Sequence, residues 1–189
     1  MATLGWAIGG GERTPEARIR AFSQYFTNAR YSDAYGLTET CGGDTFMEPG
    51  LEIAKIGSTG RPVAHVEIEI RDDAGKRLAT GMNGEICLRG PKVTPGYWKD
   101  PEKTAAAFHG DWFRSGDVGY LDEDGFLYLT DRKTDMIISG GENIASSEVE
   151  RVISELPQVR EVAVTGMPDA RWVERPVAVV LRAAGAIRR

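Results

Sequence analysis

Residues that could carry phosphate and sugar chemistry follow a short aromatic segment in the first quarter of the sequence. Tyr35, Thr38 and Glu39 place an aromatic ring, a hydroxyl and a carboxylate within five residues, with Gly36 between them. Such a set could stack on a base, hydrogen-bond a phosphate and hold Mg²⁺ through a carboxylate oxygen. A structural loop with Tyr35 packed in the core explains the same residues at least as well.

Two further segments are open to a binding or a structural interpretation. The glycines at 9–11 let backbone approach a ligand closely, but Thr14 stands where a dinucleotide-binding pattern has its third glycine. A tight strand-to-helix turn explains that run equally well. Asp117 follows the aromatic residues 112–113 in a predicted loop. It could accept hydrogen bonds from two ribose hydroxyls, although a turn-capping aspartate is the commoner role.

A strand–helix–strand unit is predicted to position the first two of these segments. Residues 4–8 are typical of a buried strand, Thr14 and Pro15 can begin a helix, and residues 31–35 are short enough for a second strand. This unit would deliver a loop at 36–43 just past a strand end. Loops at that place are common ligand sites in α/β sheets.

From about residue 57 the pattern changes to short alternating runs between turn residues. Residues 66–70 and 84–89 alternate, 101–108 predict a short helix, and 122–125 predict a hairpin turn. These signals indicate an antiparallel sheet or a small barrel.

A third pattern begins near residue 131, where a polar break precedes apolar residues. Residues 147–150 fit a helix capping box, and two strands are predicted after that helix. We therefore predict an α+β fold: a strand–helix–strand unit, an antiparallel distorted β-barrel or sheet subdomain, and a partial small α+β C-terminal domain.

Composition excludes several classes of protein. The 189 residues include 23 Lys plus Arg and 28 Asp plus Glu, a net charge of −5, with both signs interspersed. That balance argues against a nucleic-acid partner. The histidines and cysteines lack metal-ligand spacing, which argues against a zinc site. The first ten residues have no Lys or Arg and no apolar run long enough for a signal peptide, and no later apolar run approaches about 18 residues. We therefore expect a soluble, cytoplasmic protein without a transmembrane segment.

The segment at 131–144 ends in Ser-Gly-Gly-Glu-Asn-Ile. Its presence strengthens the functional interpretation of the three earlier segments. Together they resemble the adenylate-forming (AMP-binding) superfamily, specifically acyl-CoA synthetases, from residue 9 to residue 181. The resemblance implies ATP, Mg²⁺ and coenzyme A as cofactors and a small-molecule carboxylic acid, fatty or aryl, as substrate. The acid would attack the α-phosphate of ATP to give acyl-AMP, and the thiol of coenzyme A would then displace AMP.

The resemblance also implies residue roles. Thr38 would contact the phosphates, Glu39 would help hold Mg²⁺, and Arg132 would reach the ribose or its phosphate; these three are the predicted catalytic residues. The other implied binding residues are Gly10, Gly11 and Glu12 for adenine or the acyl group, Asp33 for the adenine amino group, Tyr35 for the adenine ring, Asp117 for the ribose, and Gly140 and Gly141 for the pantetheine arm.

The same resemblance predicts a fragment, because the family's lysine-bearing phosphate loop and its C-terminal catalytic lysine have no counterpart here. We expect residues 1–132 to be the C-terminal part of the large ATP-binding domain and 133–189 the first half of the mobile C-terminal domain. The hinge would lie at Thr134, where relatives usually carry Asp or Lys. We expect negligible adenylation by this chain alone and self-association through uncovered faces.

Two alternatives stay open from the sequence. The chain could be a stand-alone, non-catalytic nucleotide-binding or assembly module. It could also be a fragment of another adenylating enzyme, peptide-synthetase or luciferase-like. Calorimetry with ATP or a non-hydrolysable acyl-adenylate mimic tests the first alternative, because an absence of binding at millimolar ligand would exclude a nucleotide-binding module.

Overall fold

The computed structural model of the chain describes residues 3–10, 14–133 and 135–183. Its contacts divide the chain into two compact units, Met1–Leu129 and Thr130–Arg189. The described elements are β1 Trp6–Gly9, α1 Glu16–Tyr25, β2 Arg30–Tyr35, a 3₁₀ helix Thr38–Thr40, β3 Thr45–Phe46, β4 Arg61–Pro62, β5 Glu67–Arg71, β6 Gly84–Arg89, α2 Pro101–Ala106, β7 Phe108–His109, β8 Trp112–Leu121, β9 Leu127–Arg132, β10 Met136–Ser139, β11 Glu142–Ala145, α3 Ser146–Ser154, β12 Val159–Asp169 and β13 Val173–Arg182.

The predicted strand–helix–strand unit is present at the start of the first unit. Strand β1 pairs with β2 in parallel, and the sheet continues in the order β1-β2-β3-β4. Helix α1 buries Ile19 and stacks the Phe22 ring on Phe26 with centroids 4.8 Å apart. The expected burial of the first strand is wrong: β1 is the edge strand of this sheet, and the Ile8 side chain is 62% exposed.

The alternating segments form an antiparallel sheet with the order β5-β6-β8-β7, and β9 also pairs with β8. Ile68 and Ile70 of β5 face the core while the glutamates between and beside them face outward. Ile86 and Leu88 of β6 are fully buried in the same cluster. The alternation in β5 therefore places its apolar side chains on one face, whereas β6 is buried on both faces from Glu85 to Leu88. The α+β prediction is confirmed.

Strand β8 contains an irregularity that the sequence pattern did not reveal. Its register against β6 shifts between the pairs Glu85↔Val118 and Cys87↔Arg114. Gly116 has a φ of 77° there, and the Ser115 hydroxyl donates to Ile86 O at 2.8 Å. The prediction of a loop at Asp117 is therefore wrong, because Asp117 lies within β8, at a bulge. Such bulges re-aim side chains and often lie beside functional sites.

The second unit is an antiparallel sheet with one helix. The sheet has the order β11-β10-β13-β12, and α3 packs against β12. A two-residue turn joins β10 to β11: Gly140 and Gly141 follow Ser139 with φ values of 62° and 89°. Positive φ at both central positions is the requirement of a type I′ hairpin turn, which explains the two glycines structurally.

Helix α3 is not capped as the sequence pattern indicates. Ala145 occupies the N-cap position and Ser147 lies inside the helix. The carboxylate of Asp131 accepts hydrogen bonds from Ser147 N at 3.3 Å and from the Ser146 hydroxyl at 3.2 Å, and the Ser147 hydroxyl donates to Thr130 O at 2.6 Å. The capping-box prediction is therefore wrong, because the Asp131 carboxylate of β9 accepts from one of the free N–H groups at the helix start.

Within the described residues, none of the helices combines the length and the apolar character needed to cross a membrane.

Candidate functional site

The first unit brings Tyr35 and Asp117 together. Tyr35 ends strand β2, and Asp117 stands at the bulge of β8, 82 residues further along the chain. The Tyr35 hydroxyl donates to Asp117 Oδ2 at 2.8 Å, and the two residues are 7% and 8% exposed. Ser115 Oγ accepts a hydrogen bond from Asp117 N at 3.0 Å, which fixes the backbone that carries the carboxylate. The pair therefore joins two sheets at one buried polar point.

Burial raises the pKa of the Tyr35 hydroxyl far above its ordinary value of 10, and the nearby charge of Asp117 raises it further. Desolvation disfavours the phenolate, and a carboxylate beside it disfavours a second negative charge. Tyr35 therefore remains a hydrogen-bond donor at neutral pH. Its ring belongs to the same core cluster as Ile68 and Leu88, so the structural interpretation of Tyr35 as a core residue is correct whatever else it contacts.

We expect alkaline pH to weaken the fold through this group. Folded Tyr35 keeps its proton above pH 10, whereas the unfolded tyrosine loses it, so the stability that Tyr35 contributes is complete below about pH 10 and declines above it. One such group accounts for a slope of up to about 1.4 kcal/mol per pH unit. Urea unfolding between pH 8 and 11.5 should show a shallower decline for Tyr35→Phe than for the wild type.

The matched control for this experiment is Tyr25→Phe, because Tyr25 is 82% exposed. Its pH dependence should equal that of the wild type. An unchanged slope in Tyr35→Phe would contradict the expected protonation of Tyr35.

Asp33 lies two residues before Tyr35 and is also buried. Its Oδ1 accepts a hydrogen bond from the Thr14 hydroxyl at 3.3 Å, and Thr14 Oγ1 lies 2.7 Å from the Tyr31 hydroxyl. Thr14 thus ties the start of α1 to β2 and makes no side-chain cap of the helix. Gly10 is within the described residues, whereas the predicted Gly11 and Glu12 lie outside them.

The loop after β2 is held by an ion pair between a half-buried lysine and a fully buried carboxylate, which sequence reasoning missed. Asp44 is fully buried; the Thr40 hydroxyl donates to its Oδ2, and Lys92 Nζ lies 3.0 Å from its Oδ1. Lys92 also donates to the carbonyl oxygens of Gly42 at 2.6 Å and Gly43 at 2.8 Å. The ammonium group therefore hydrogen-bonds two carbonyl oxygens of the loop and supplies the opposite charge to the buried Asp44 carboxylate.

Gly36 allows this loop to fold back on itself. A Cβ at position 36 would lie 2.3 Å from Gly43 N and 2.9 Å from the carbonyl carbon of Gly42. Only a residue without a side chain permits that approach. The glycine between the predicted aromatic and hydroxyl groups is thus required by the loop itself.

Thr38 and Glu39 lie in the 3₁₀ helix at the centre of the loop. Thr38 is exposed and Glu39 is half-buried. The Tyr97 hydroxyl donates to Glu39 Oε1 at 3.0 Å, and Thr94 N donates to Glu39 O at 2.7 Å. Tyr97 was not predicted, since the sequence offers no local signal that links it to Glu39.

The described part of the chain contains no group of three or more His, Cys, Asp or Glu residues that could hold a metal ion by itself. Mg²⁺ in phosphate chemistry is commonly held by one or two carboxylates together with substrate phosphates. The Glu39 carboxylate fits that mode of binding and does not fit a site made of protein ligands alone.

The remaining predicted site residues belong to the second unit. Arg132 ends β9 and is exposed. Its backbone N–H donates to Asp131 Oδ1 at 2.8 Å. Gly140 N donates to Trp172 O at 2.9 Å, so the Gly140–Gly141 turn is tied to the segment before β13. The predicted hinge residue Thr134 lies outside the described residues.

An α+β fold with a buried tyrosine–aspartate pair, followed by a glycine-dependent loop that presents a hydroxyl and a carboxylate, defines a candidate nucleotide-binding domain. The model of the AMP-binding enzyme family matches residues 1–98, and the model of the AMP-binding enzyme C-terminal domain matches residues 148–189. The chain belongs to the AMP-binding enzyme family.

Curated relatives agree with this assignment. The chain is 48% identical over 152 residues to a 2-succinylbenzoate–CoA ligase of Geobacillus kaustophilus, which covers 80% of the chain and 31% of the relative. It is 41% identical over 174 residues to a long-chain-fatty-acid–CoA ligase of Mycobacterium tuberculosis, covering 92% of the chain and 34% of the relative. The chain therefore spans about a third of the length of these relatives.

Solved structures show the same similarity. The o-succinylbenzoate CoA synthetase of Bacillus subtilis, in complex with its acyl-adenylate intermediate, superposes with a TM-score of 0.87 at 35% identity, covering 96% of the chain and 37% of that structure. The same enzyme in complex with ATP and magnesium ion gives a TM-score of 0.83 at 36% identity, covering 93% of the chain and 36% of that structure.

Proposed function

We propose that this chain carries the nucleotide-binding residues of an ATP-dependent, AMP-forming acid–thiol ligase. The observation that carries the proposal is the buried Tyr35–Asp117 hydrogen bond, followed directly by the loop that presents Thr38 and Glu39. Family membership supports it, as do the names of the relatives, which are acid–CoA ligases. The substrate would be a small carboxylic acid, fatty or aryl, and the products acyl-CoA, AMP and pyrophosphate.

Asp117 would bind the ribose of the nucleotide. A carboxylate can accept hydrogen bonds from two neighbouring hydroxyls, and the donated hydrogen bond from Tyr35 holds the Asp117 carboxylate in one orientation. Tyr35 would offer its ring to adenine and Asp33 would accept from the adenine amino group. Gly10, Gly11 and Glu12 would line the adenine or the acyl group.

Thr38 and Glu39 would act at the phosphates. An oxygen of the substrate carboxylate attacks the α-phosphorus while the bond to the pyrophosphate oxygen breaks, and no general base is required because the acid is already ionised at pH 7. Mg²⁺ held by Glu39 would supply charge neutralisation as pyrophosphate leaves. The exposed Thr38 hydroxyl would donate to a phosphate oxygen.

The second unit would serve the thioester-forming half of the reaction. We propose the division into residues 1–132 and 133–189, with Thr134 as the hinge about which the second part moves. Arg132 would contact the ribose or its phosphate, and the Gly140–Gly141 turn would meet the pantetheine arm of coenzyme A.

The proposal also includes a cytoplasmic location and a role in fatty-acid metabolism. It further includes self-association, which the exposed apolar side chains of β1 and β13 support.

Calorimetric titration of the 189-residue chain tests this function. We expect binding of AMP, of ATP with Mg²⁺, and most tightly of a non-hydrolysable acyl-adenylate analogue. Asp117→Asn keeps the size of the side chain and removes its charge. This variant should weaken AMP binding about tenfold or more, because hydrogen bonds to charged groups are the strong ones.

Asp111→Asn is the control for the loss of one negative charge, since Asp111 is an exposed carboxylate paired with Arg89. It should bind AMP as the wild type does. An absence of binding at millimolar ligand, or equal binding by Asp117→Asn, would overturn the proposed function. A pyrophosphate-release assay of the same preparation checks the expected lack of adenylation by this chain alone.

A further inference from the structure

The segment from Thr94 to Tyr97 is in contact with the loop that carries Glu39. Two hydrogen bonds reach the same residue from this segment: Thr94 N donates to the Glu39 carbonyl at 2.7 Å, and the Tyr97 hydroxyl donates to Glu39 Oε1 at 3.0 Å. Backbone and side chain of Glu39 are therefore both fixed from a segment 58 residues away in the chain.

Tyr97 is itself firmly positioned. Its N–H donates to the Thr104 hydroxyl of α2 at 2.9 Å, and Lys103 Nζ lies 4.2 Å from the centre of its ring. Gly96 has a φ of 150°, and a Cβ there would lie 2.5 Å from Thr104 Cγ2. The glycine therefore lets the segment lie against α2 and leaves the Tyr97 hydroxyl directed at Glu39.

A glutamate side chain has three rotatable bonds, and its carboxylate loses that freedom when it binds a cation. The Tyr97 hydrogen bond occupies Oε1; within the described part of the chain, Oε2 makes no hydrogen bond or ion pair. A carboxylate held through one oxygen presents the other to a cation without a further ordering cost.

We propose that Tyr97 is a positioning residue for the Glu39 carboxylate: its hydroxyl holds Oε1, so that Oε2 would be presented to a magnesium ion that accompanies ATP. This inference rests on the proposed function, because it assigns Tyr97 a part in that same site. It differs from a purely structural role, which would stabilise the loop with or without a metal ion.

The protonation of Tyr97 is consistent with this role. Desolvation raises the pKa of its hydroxyl above the ordinary value of 10, and the hydrogen bond to Glu39 raises it further. The hydroxyl therefore remains a donor throughout the neutral range, and it faces an acceptor that carries the negative charge.

The test compares nucleotide binding with and without the metal. For the wild type, Tyr97→Phe, Glu39→Gln and the double variant, calorimetry measures the Kd of ATP with Mg²⁺, of ATP in EDTA and of AMP in EDTA. We expect Tyr97→Phe to weaken the binding of ATP with Mg²⁺ about tenfold and to leave AMP binding in EDTA within about twofold of the wild type. The double variant should bind ATP with Mg²⁺ no more weakly than Glu39→Gln alone.

Tyr25→Phe is the matched control, because it also removes one tyrosine hydroxyl but from an exposed position. Equal weakening of AMP and of ATP with Mg²⁺ in Tyr97→Phe would overturn the positioning role and leave the proposed function intact. If the wild-type chain binds ATP no better with Mg²⁺ than in EDTA, Glu39 does not help to bind the metal ion. That result would overturn the positioning role of Tyr97. A wild-type chain that binds no nucleotide would overturn the proposed function as well.

Discussion

Replacing Lys92 with methionine is expected to lower the free energy of unfolding by about 3 kcal/mol. The substitution keeps an unbranched side chain of similar length, one heavy atom shorter, and removes the ammonium group that lies 3.0 Å from Asp44 Oδ1. Asp44 has no exposed surface, so its carboxylate would be left buried without its cation. The Gly42 and Gly43 carbonyls would lose a donor at the same time. Urea unfolding at pH 7 measures the change.

Two further variants separate the ion pair from the general loss of a positive charge. Lys76→Met removes an exposed lysine and should change stability by no more than about 0.5 kcal/mol. Combining Lys92→Met with Asp44→Asn should recover part of the loss, because the uncompensated charge is then gone. A double variant less stable than Lys92→Met would show that the pair is not the source of the effect.

Gly60→Ala is expected to destabilise the first unit by about 3 kcal/mol or more, for a steric reason. Gly60 has a φ of 92°, where an L-residue is strained. A Cβ there would lie 1.9 Å from Phe46 O and 2.0 Å from the Phe46 carbonyl carbon. The backbone must therefore move, and the hydrogen bond from Leu127 N to Gly60 O at 2.9 Å would be disturbed. A thermal or urea unfolding curve of the variant measures the loss.

Gly81→Ala is the control that separates the backbone strain of a positive φ from the steric overlap of the added Cβ with Phe46. Gly81 has a φ of 80° with no atom within 4 Å of an added Cβ, so this variant carries the conformational cost alone, about 1 kcal/mol. The difference between the two variants measures the close approach of residue 60 to Phe46. Equal losses in the two variants would contradict the described packing.

Much of the fold was predictable because it depends on local signals. The alternation in β5 follows from the two-residue repeat of a strand, in which successive side chains face opposite sides. The spacing of Ile19, Phe22 and Phe26 follows from the helical repeat. Each of these patterns can be detected within a few residues, so no knowledge of distant partners was needed. The resemblance to the AMP-binding family also rests on local motifs, and the family match bears it out.

Two of the errors arose where a distant group replaced a local one. The residues at 147–150 match a capping box, but Asp131 from another strand supplies the acceptor at the start of α3. Asp117 lies in a segment that local pattern predicts as a loop, yet pairing with β6 makes it part of β8. Hydrogen-bonding groups take whichever partner the fold brings within reach, and a local pattern shows only the nearby candidates.

The sequence by itself determined most of the types of element, the chemical groups available to a nucleotide site and the family to which the chain belongs. Tertiary structure alone decided which groups meet: Tyr35 with Asp117, Lys92 with Asp44, and Tyr97 with Glu39. Each contact joins residues that are far apart in the chain. It exists because strand register, a bulge and a loop folded on glycine bring two side chains within about 3 Å at a buried or half-buried point, where a hydrogen bond or ion pair is strong.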